Sequence, residues 1–142
     1  MTLVVDADVG FKWHVDQSDS AQAETILRWR GGLHAPDFQY LEIRHVLAKY
    51  VRMRLVSEEA ARKAAFIHGG MISMWHNQAI LAEPAFDLAL RFDHPFYDCL
   101  YLALALRLDS RVVTADRKFA NRFSEGGHAG RVVLLADFAA AT

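Results

Sequence analysis

Leu3-Val4-Val5-Asp6-Ala7-Asp8 decides how the rest of the chain is read. Three consecutive apolar residues, two of them β-branched, predict a short strand buried on both faces, as a central parallel strand must be. The strand ends on one carboxylate and meets a second two residues later. In open α/β sheets ligands bind just beyond the carboxyl ends of the strands. Asp6 therefore stands where chemistry is usually placed, and Glu42, Asp98 and Asp116 are the later acids that the fold is expected to return to it.

Strands and helices alternate outward from this point. Ser18 or Ser20 can cap a helix running to about Arg30, which Gly31-Gly32 stops. Leu33 to Ala35 predicts a second strand. Pro36-Asp37 opens a long helix to about Arg54, with Ile43, Val46, Leu47 and Tyr50 as its apolar stripe. Ser57-Glu58-Glu59 starts another that runs to about Ile67, with a possible extension to Trp75. Ala79 to Leu81 is expected as a third strand, Pro84 to Arg91 as a short helix, and His94-Pro95 as the start of a helix ending near Leu108. Arg111 to Thr114 is a strand, Asp116 can cap a helix over 117–123, and Val132 to Leu135 is the last strand. This alternation predicts a mostly parallel central sheet with helices on both faces, a three-layer α/β/α sandwich, in one domain over 1–142.

Composition bounds the class. The chain has 142 residues, 53% of them hydrophobic, with nine Phe, four Tyr and three Trp, enough to bury a core of its own. One cysteine, Cys99, allows no internal disulfide and no metal-cluster spacing, which suits a reducing cytoplasm. No stretch reads as a signal peptide, and the longest apolar run, Cys99 to Leu106, is too short to span a bilayer, so no membrane is expected. A net charge of −1 is not that of a nucleic-acid binder, so any such role depends on local charge.

Asp98 is the most informative acid. It lies in Pro95-Phe96-Tyr97-Asp98-Cys99-Leu100-Tyr101-Leu102, a helix apolar on all sides and hence buried. A buried carboxylate pairs, protonates or binds a metal, although a place in the first turn near the dipole's positive end also accommodates it. Asp116 equally reads as an ordinary N-cap, and Asp6 as a turn residue. Glu42 sits at the rim of its helix's stripe beside Phe38 and Val46, with His45 and Lys49 nearby. Arg117, Lys118 and Arg122 follow Asp116 and read either as receivers of flanking phosphates or as a solvated face. His14, His34, His68, His76, His94 and His128 show no paired spacing and receive no role. Trp13, Trp29 and Trp75 read as core before partner contacts.

Four blocks together resemble a family: Val4-Val5-Asp6-Ala7-Asp8-Val9; Ala35-Pro36-Asp37 ahead of Leu41-Glu42-Ile43; Tyr97-Asp98-Cys99-Leu100-Tyr101-Leu102-Ala103; and Val113-Thr114-Ala115-Asp116-Arg117-Lys118-Phe119. The chain resembles the PIN-domain ribonuclease toxins of the VapC kind, in order, from Leu3 to Leu135. The resemblance implies that Asp6, Glu42, Asp98 and Asp116 form a metal-binding active site, with Asp6, Asp98 and Asp116 as ligands and Glu42 orienting or deprotonating the attacking water. Thr114 would support it. It further implies a metal-dependent endoribonuclease that leaves a 5′-phosphate and a 3′-hydroxyl, a cognate antitoxin and a homodimer. Two positions depart from the pattern: Asp8 replaces a small hydroxyl residue and adds a supporting acid, and His45 replaces a frequent Asn.

The residue types agree with that chemistry. Oxygen-only ligands select hard cations, Mg²⁺ or Mn²⁺, over zinc. Two rivals remain open at this point. Asp6-Ala7-Asp8 also resembles the opening of haloacid dehalogenase-like phosphatases, whose later Lys and acidic pair are not convincingly placed here. A catalytically inactive PIN-like module that only binds RNA or protein is the other.

Overall fold

The computed structural model describes residues 1–141. In chain order the elements are β1 (Leu3–Val5), α1 (Ala7–Phe11), α2 (Ser20–Ile26), β2 (Leu33–Pro36), α3 (Phe38–Arg52), α4 (Glu58–Met71) and β3 (Met74–His76). They continue with α5 (Gln78–Phe92), α6 (Phe96–Arg107), β4 (Val112–Thr114), α7 (Arg117–Arg122), a 3-10 turn at Gly126–His128, β5 (Val132–Leu134) and α8 (Leu135–Ala141). The five strands form one sheet, β3-β2-β1-β4-β5, and every pairing is parallel. β1 is central, as its unbroken burial requires, and Leu3, Val4 and Val5 are each 0% exposed.

The sheet's period of two sorts its side chains into two cores. Val4, Val112, Val132 and Leu134 pack on one side with α3, α5, α6 and α7, through Ile43, Leu81, Leu102 and Phe119. Leu3, Val5, Leu33, Ala35 and Val113 pack on the other with α2 and α8, through Ala23, Ile26, Leu135 and Phe138. The result is the expected α/β/α sandwich. α6 is buried at every position from Cys99 to Ala105, because it lies between α5 and the sheet. Burying each of its leucines contributes about 1.5–3 kcal/mol.

The third strand is where local reading goes wrong. Ala79 to Leu81 is helical, and Met74–His76 is the edge strand, paired with β2 from His34 to Pro36. Asn77 Oδ1 accepts from the Ala79 amide, and Asp37 Oδ1, from a distant loop, accepts from the Gln78 amide. These caps start α5 at Gln78, so Pro84 falls inside the helix and does not open it. Leu81, Ala85 and Leu88 then form its buried stripe, while Ile80 is half exposed. Smaller corrections follow the same logic. α4 passes through Gly69-Gly70 and ends at Met71, since Ile72 is already extended. α2 begins at Ser20 and stops at Ile26, Ser20 Oγ being used to bind the Lys12 carbonyl and the Gln17 amide. The short helix α1 and the closing helix α8 were not anticipated from local pattern.

A buried polar chain braces the end of β1. The Val5 carbonyl faces the β2 side where the ladder stops, and it accepts from Gln39 Nε2 at 2.7 Å. That contact orients the amide, so Gln39 Oε1 must accept from His68 Nε2 at 2.8 Å. His68 Nδ1 is then bare and accepts from His14 Nε2 at 2.8 Å. His68 is 1% exposed, and burial pushes its pKa down to about 4, which keeps this neutral tautomer at physiological pH. Gly10 makes room for the ring: a Cβ there would lie 2.8 Å from His68 Cε1. Gly10→Ala should gain about 0.8–1.0 kcal/mol of helix propensity. It should lose about 1–3 kcal/mol to overpacking, for a net loss. Urea denaturation checks this; a variant more stable than the parent would show that His68 yields freely.

Candidate active site

The carboxyl ends of β1 and β4 open into a pocket of about 280 Å³, lined by Asp6, Asp8, Glu42, Asp98 and Asp116 together with Phe11, Lys12, Gln17 and Tyr50. β1 has β2 on one side and β4 on the other, so the chain reverses its direction across the sheet here, and the crevice falls at that switch point. Asp6 leaves β1 and caps α1; Asp8 sits in the first turn of α1. Glu42 comes from α3, Asp98 from the first turn of α6, and Asp116 from the cap of α7. Five acids from four regions of the sequence thus face one cavity.

Each carboxylate is held by a donor of its own. Asp6 Oδ1 accepts from the Ala7 amide at 2.8 Å and Oδ2 from Thr114 Oγ1 at 2.7 Å. Thr114 has one proton to give, so its 3.4 Å approach to Asp8 is secondary, and its oxygen accepts in turn from the Asp116 amide at 3.1 Å. Asp8 Oδ1 accepts from the Ala115 amide at 3.2 Å. Glu42 Oε1 accepts from Tyr101 Oη at 2.6 Å, and Asp98 Oδ2 from His94 Nε2 at 2.9 Å. Asp116 Oδ1 accepts from the Lys118 amide at 2.9 Å, so its capping role is real, and its second oxygen is not spent on that cap. Among the described residues no three acidic, histidine or cysteine side chains stand at the spacing of ligands to one ion.

Crowding in a desolvated place raises the proton affinity of these acids. Asp6 is pushed well above the usual carboxylate range, first by burial and then by Asp8, Asp98 and Glu42, against the Thr114 hydrogen bond. Asp8 rises to about 6 through burial, opposed by the Ala115 amide and by Lys12. Glu42 rises to about 7 through burial, opposed by Tyr101 and aided by Asp98 and Asp8. Asp98 is raised by burial and Asp116, with His94 opposing.

Lys12, His94 and Tyr101 were missed from sequence. Tyr101 had a readable signal, since a Tyr at a fully buried helix position needs an acceptor. His94 had one too, since it stands four residues before Asp98 at the start of the same helix, whereas Lys12 had none, because it meets its partners only when the turn at 16–19 folds back. Arg117 and Lys118 lie exposed on α7 and Arg122 Nε donates to the Phe92 carbonyl; none of the three lines the pocket. The histidines without sequence spacing are paired in space, His14 with His68 and His34 with His76. Trp13, Trp29 and Trp75 are half-buried and pack against the core on the α2 and α8 side of the sheet.

An all-parallel sheet of this order with acids gathered at its switch point defines a class, and the comparisons agree. The PIN domain profile matches residues 3–122, and the chain belongs to the PIN-domain family. The VapC kind is supported by a relative from Pyrobaculum aerophilum, Ribonuclease VapC3, 30% identical over 131 residues that span 87% of this chain and 95% of that one. The crystal structure of PAE2754 from the same organism superposes with a TM-score of 0.75 over 99% of this chain and 97% of that one, at 18% identity, which bears on the fold alone. The family assignment removes the haloacid dehalogenase-like reading of Asp6-Ala7-Asp8.

The raised acids carry a signed pH dependence. Glu42 binds its proton up to about pH 7 in the native protein but only to about 4.5 when unfolded. Between those values the native state holds more protons, so this group lowers stability as pH rises through the window. Neutral His68 acts in the opposite sense between its ordinary 6.5 and about 4, so the parent's own profile mixes the two. Glu42→Gln isolates the acid: the metal-free variant should melt higher than the parent at pH 8, by about 2–4 °C per kcal/mol of relieved strain, with the difference vanishing toward pH 5. Parallel melting curves with no pH-dependent gap would contradict a strained Glu42.

Proposed function

We propose that the chain is a Mg²⁺- or Mn²⁺-dependent endoribonuclease, the toxin of a toxin–antitoxin pair, acting in the cytoplasm as a homodimer checked by a cognate antitoxin. The observation that carries this reading is the ring of five oxygen-donor acids around one pocket at the sheet's switch point. The similarity to Ribonuclease VapC3 supports RNA as substrate. None of the described helices is long and apolar enough to cross a membrane. Exposed Phe86, Leu90 and Tyr97 on α5 and α6 offer apolar surface for protein partners.

The donor chemistry is that of a hard divalent cation, and the carboxylates would draw closer together to share one. The donor set is all oxygen, it is desolvated, and its members raise one another's proton affinity, so a cation relieves the crowding. Asp6, Asp98 and Asp116 would hold it, with Asp8 close by. When bound, the cation draws charge from the phosphate and makes a water easier to deprotonate. Glu42 is suited to take that proton: its affinity is tuned near neutrality, and Tyr101 fixes Oε1 and leaves Oε2 to face the water. The water oxygen would bond to phosphorus as the bond to the 3′-oxygen breaks, and that oxygen would take a proton from solvent, leaving a 5′-phosphate and a 3′-hydroxyl. Thr114 and His94 hold the Asp6 and Asp98 carboxylates in their orientations.

Cleavage of single-stranded RNA should stop in a chelator and return with excess Mg²⁺ or Mn²⁺. Asp98→Asn should lose at least the roughly 10–100-fold in activity that loss of even an outer partner of a metal costs. The same substitution should abolish the growth arrest caused by induced expression in bacteria. Undiminished cleavage in chelator overturns the metal mechanism, and RNA binding without cleavage returns the chain to an inactive binding module.

A further inference from the structure

The pocket that gathers five acids holds one cation among its described lining residues, Lys12. Lys12 follows the last turn of α1, and its side chain is only 12% exposed. Its Nζ donates to Gln17 Oε1 at 2.8 Å and pairs with Asp19 Oδ1 at 3.2 Å. An ammonium has three N–H directions, and these two partners occupy two of them. Both lie on the turn before α2, so the long stem is immobilised in the wall of the pocket without any ligand. Lysine usually sacrifices much rotamer freedom when it binds an anion, and this one has already given it up.

A phosphodiester is itself an anion and must approach the acids against their charge. The α7 cations stand outside the pocket, whereas Lys12 lies inside it. We propose that Lys12 is a phosphate-binding residue, its ammonium receiving a non-bridging oxygen of the RNA backbone in the pocket while Gln17 and Asp19 hold it in place. This rests on RNA being the substrate. A lysine suits the task as a compact charge that tolerates several phosphate orientations. The competing role is structural: Lys12 merely pins the turn at 16–19.

Four proteins separate these roles: the parent, Lys12→Gln, Lys12→Arg and Ser20→Ala, the last removing the hydroxyl that bonds the Lys12 carbonyl and the Gln17 amide. Binding of a labelled single-stranded RNA is followed by fluorescence anisotropy in Ca²⁺ across a salt series, cleavage is followed in Mg²⁺, and each protein is melted. Lys12→Gln should weaken RNA binding by about tenfold and flatten the log–log salt slope by about 0.7, the value of one contact to single-stranded nucleic acid. Its kcat/KM should fall mainly through KM. Lys12→Arg should keep most of the binding, and Ser20→Ala, which loosens the same turn without touching the ammonium, should keep the parent's slope even if it melts lower. A Lys12→Gln slope equal to the parent's overturns the inference, as does an equal loss of binding in Ser20→Ala. Normal cleavage with no effect at Lys12 leaves the ribonuclease reading standing and removes this one. Lys12-dependent binding without cleavage does the reverse, and absence of RNA binding at every salt concentration removes both.

Discussion

The structure depends on one buried hydrogen bond, from Thr114 Oγ1 to Asp6 Oδ2, which joins the ends of two neighbouring parallel strands. Asp6 is 6% exposed and Thr114 0%, so neither group has water to fall back on. An unpaired buried carboxylate costs several kcal/mol, and a buried hydroxyl without a partner costs about 1–3. β1 and β4 must therefore stop in step for either residue to be tolerated. The same hydroxyl accepts from the Asp116 amide, which aims the next acid and starts α7. One threonine thus sets the relative placement of two of the pocket's acids.

The other strand end is braced by different means. Gln39 bonds the Val5 carbonyl and, through His68 and His14, connects it to the α1–α2 turn. Its Nε2 also lies 3.5 Å from the Tyr101 hydroxyl, whose proton goes to Glu42. Every member of this chain has its partner and its tautomer assigned, so the network specifies one packing of α1, α3 and α4. The other acids of the pocket, Asp8, Glu42, Asp98 and Asp116, are half-buried, and each has an oxygen held by a hydrogen bond.

Much of this was legible in the sequence because the signals were local. Three buried β-branched or leucine residues ending on Asp6 marked the central strand, and an all-apolar helix interrupted by Asp98 marked an acid that could not face water. The acids' convergence was implied by the resemblance of four sequence blocks to one family, since Asp116 alone reads as a cap and Glu42 as an ordinary helical residue. What escaped depended on distant partners. Asp37 starts α5 from the end of the neighbouring strand β2, 41 residues back in the chain, so Ala79 to Leu81 mimicked a strand. His14 and His68 are separated by 54 residues, and Lys12 looked like a polar turn residue until Gln17 and Asp19 folded back on it. The overall charge of −1 also hid Lys12, the one cation among the described residues lining the pocket.

The most direct measurement is an anomalous difference map from a crystal soaked in Mn²⁺. Gathering the acids for a cation predicts a peak in the pocket at ligand distance from carboxylate oxygens of Asp6 and Asp98, with Asp116 coordinating directly or through water. A pocket without such a peak at saturating Mn²⁺, with each acid still on the donor that holds it now, would make these residues strand-end and helix caps and nothing more.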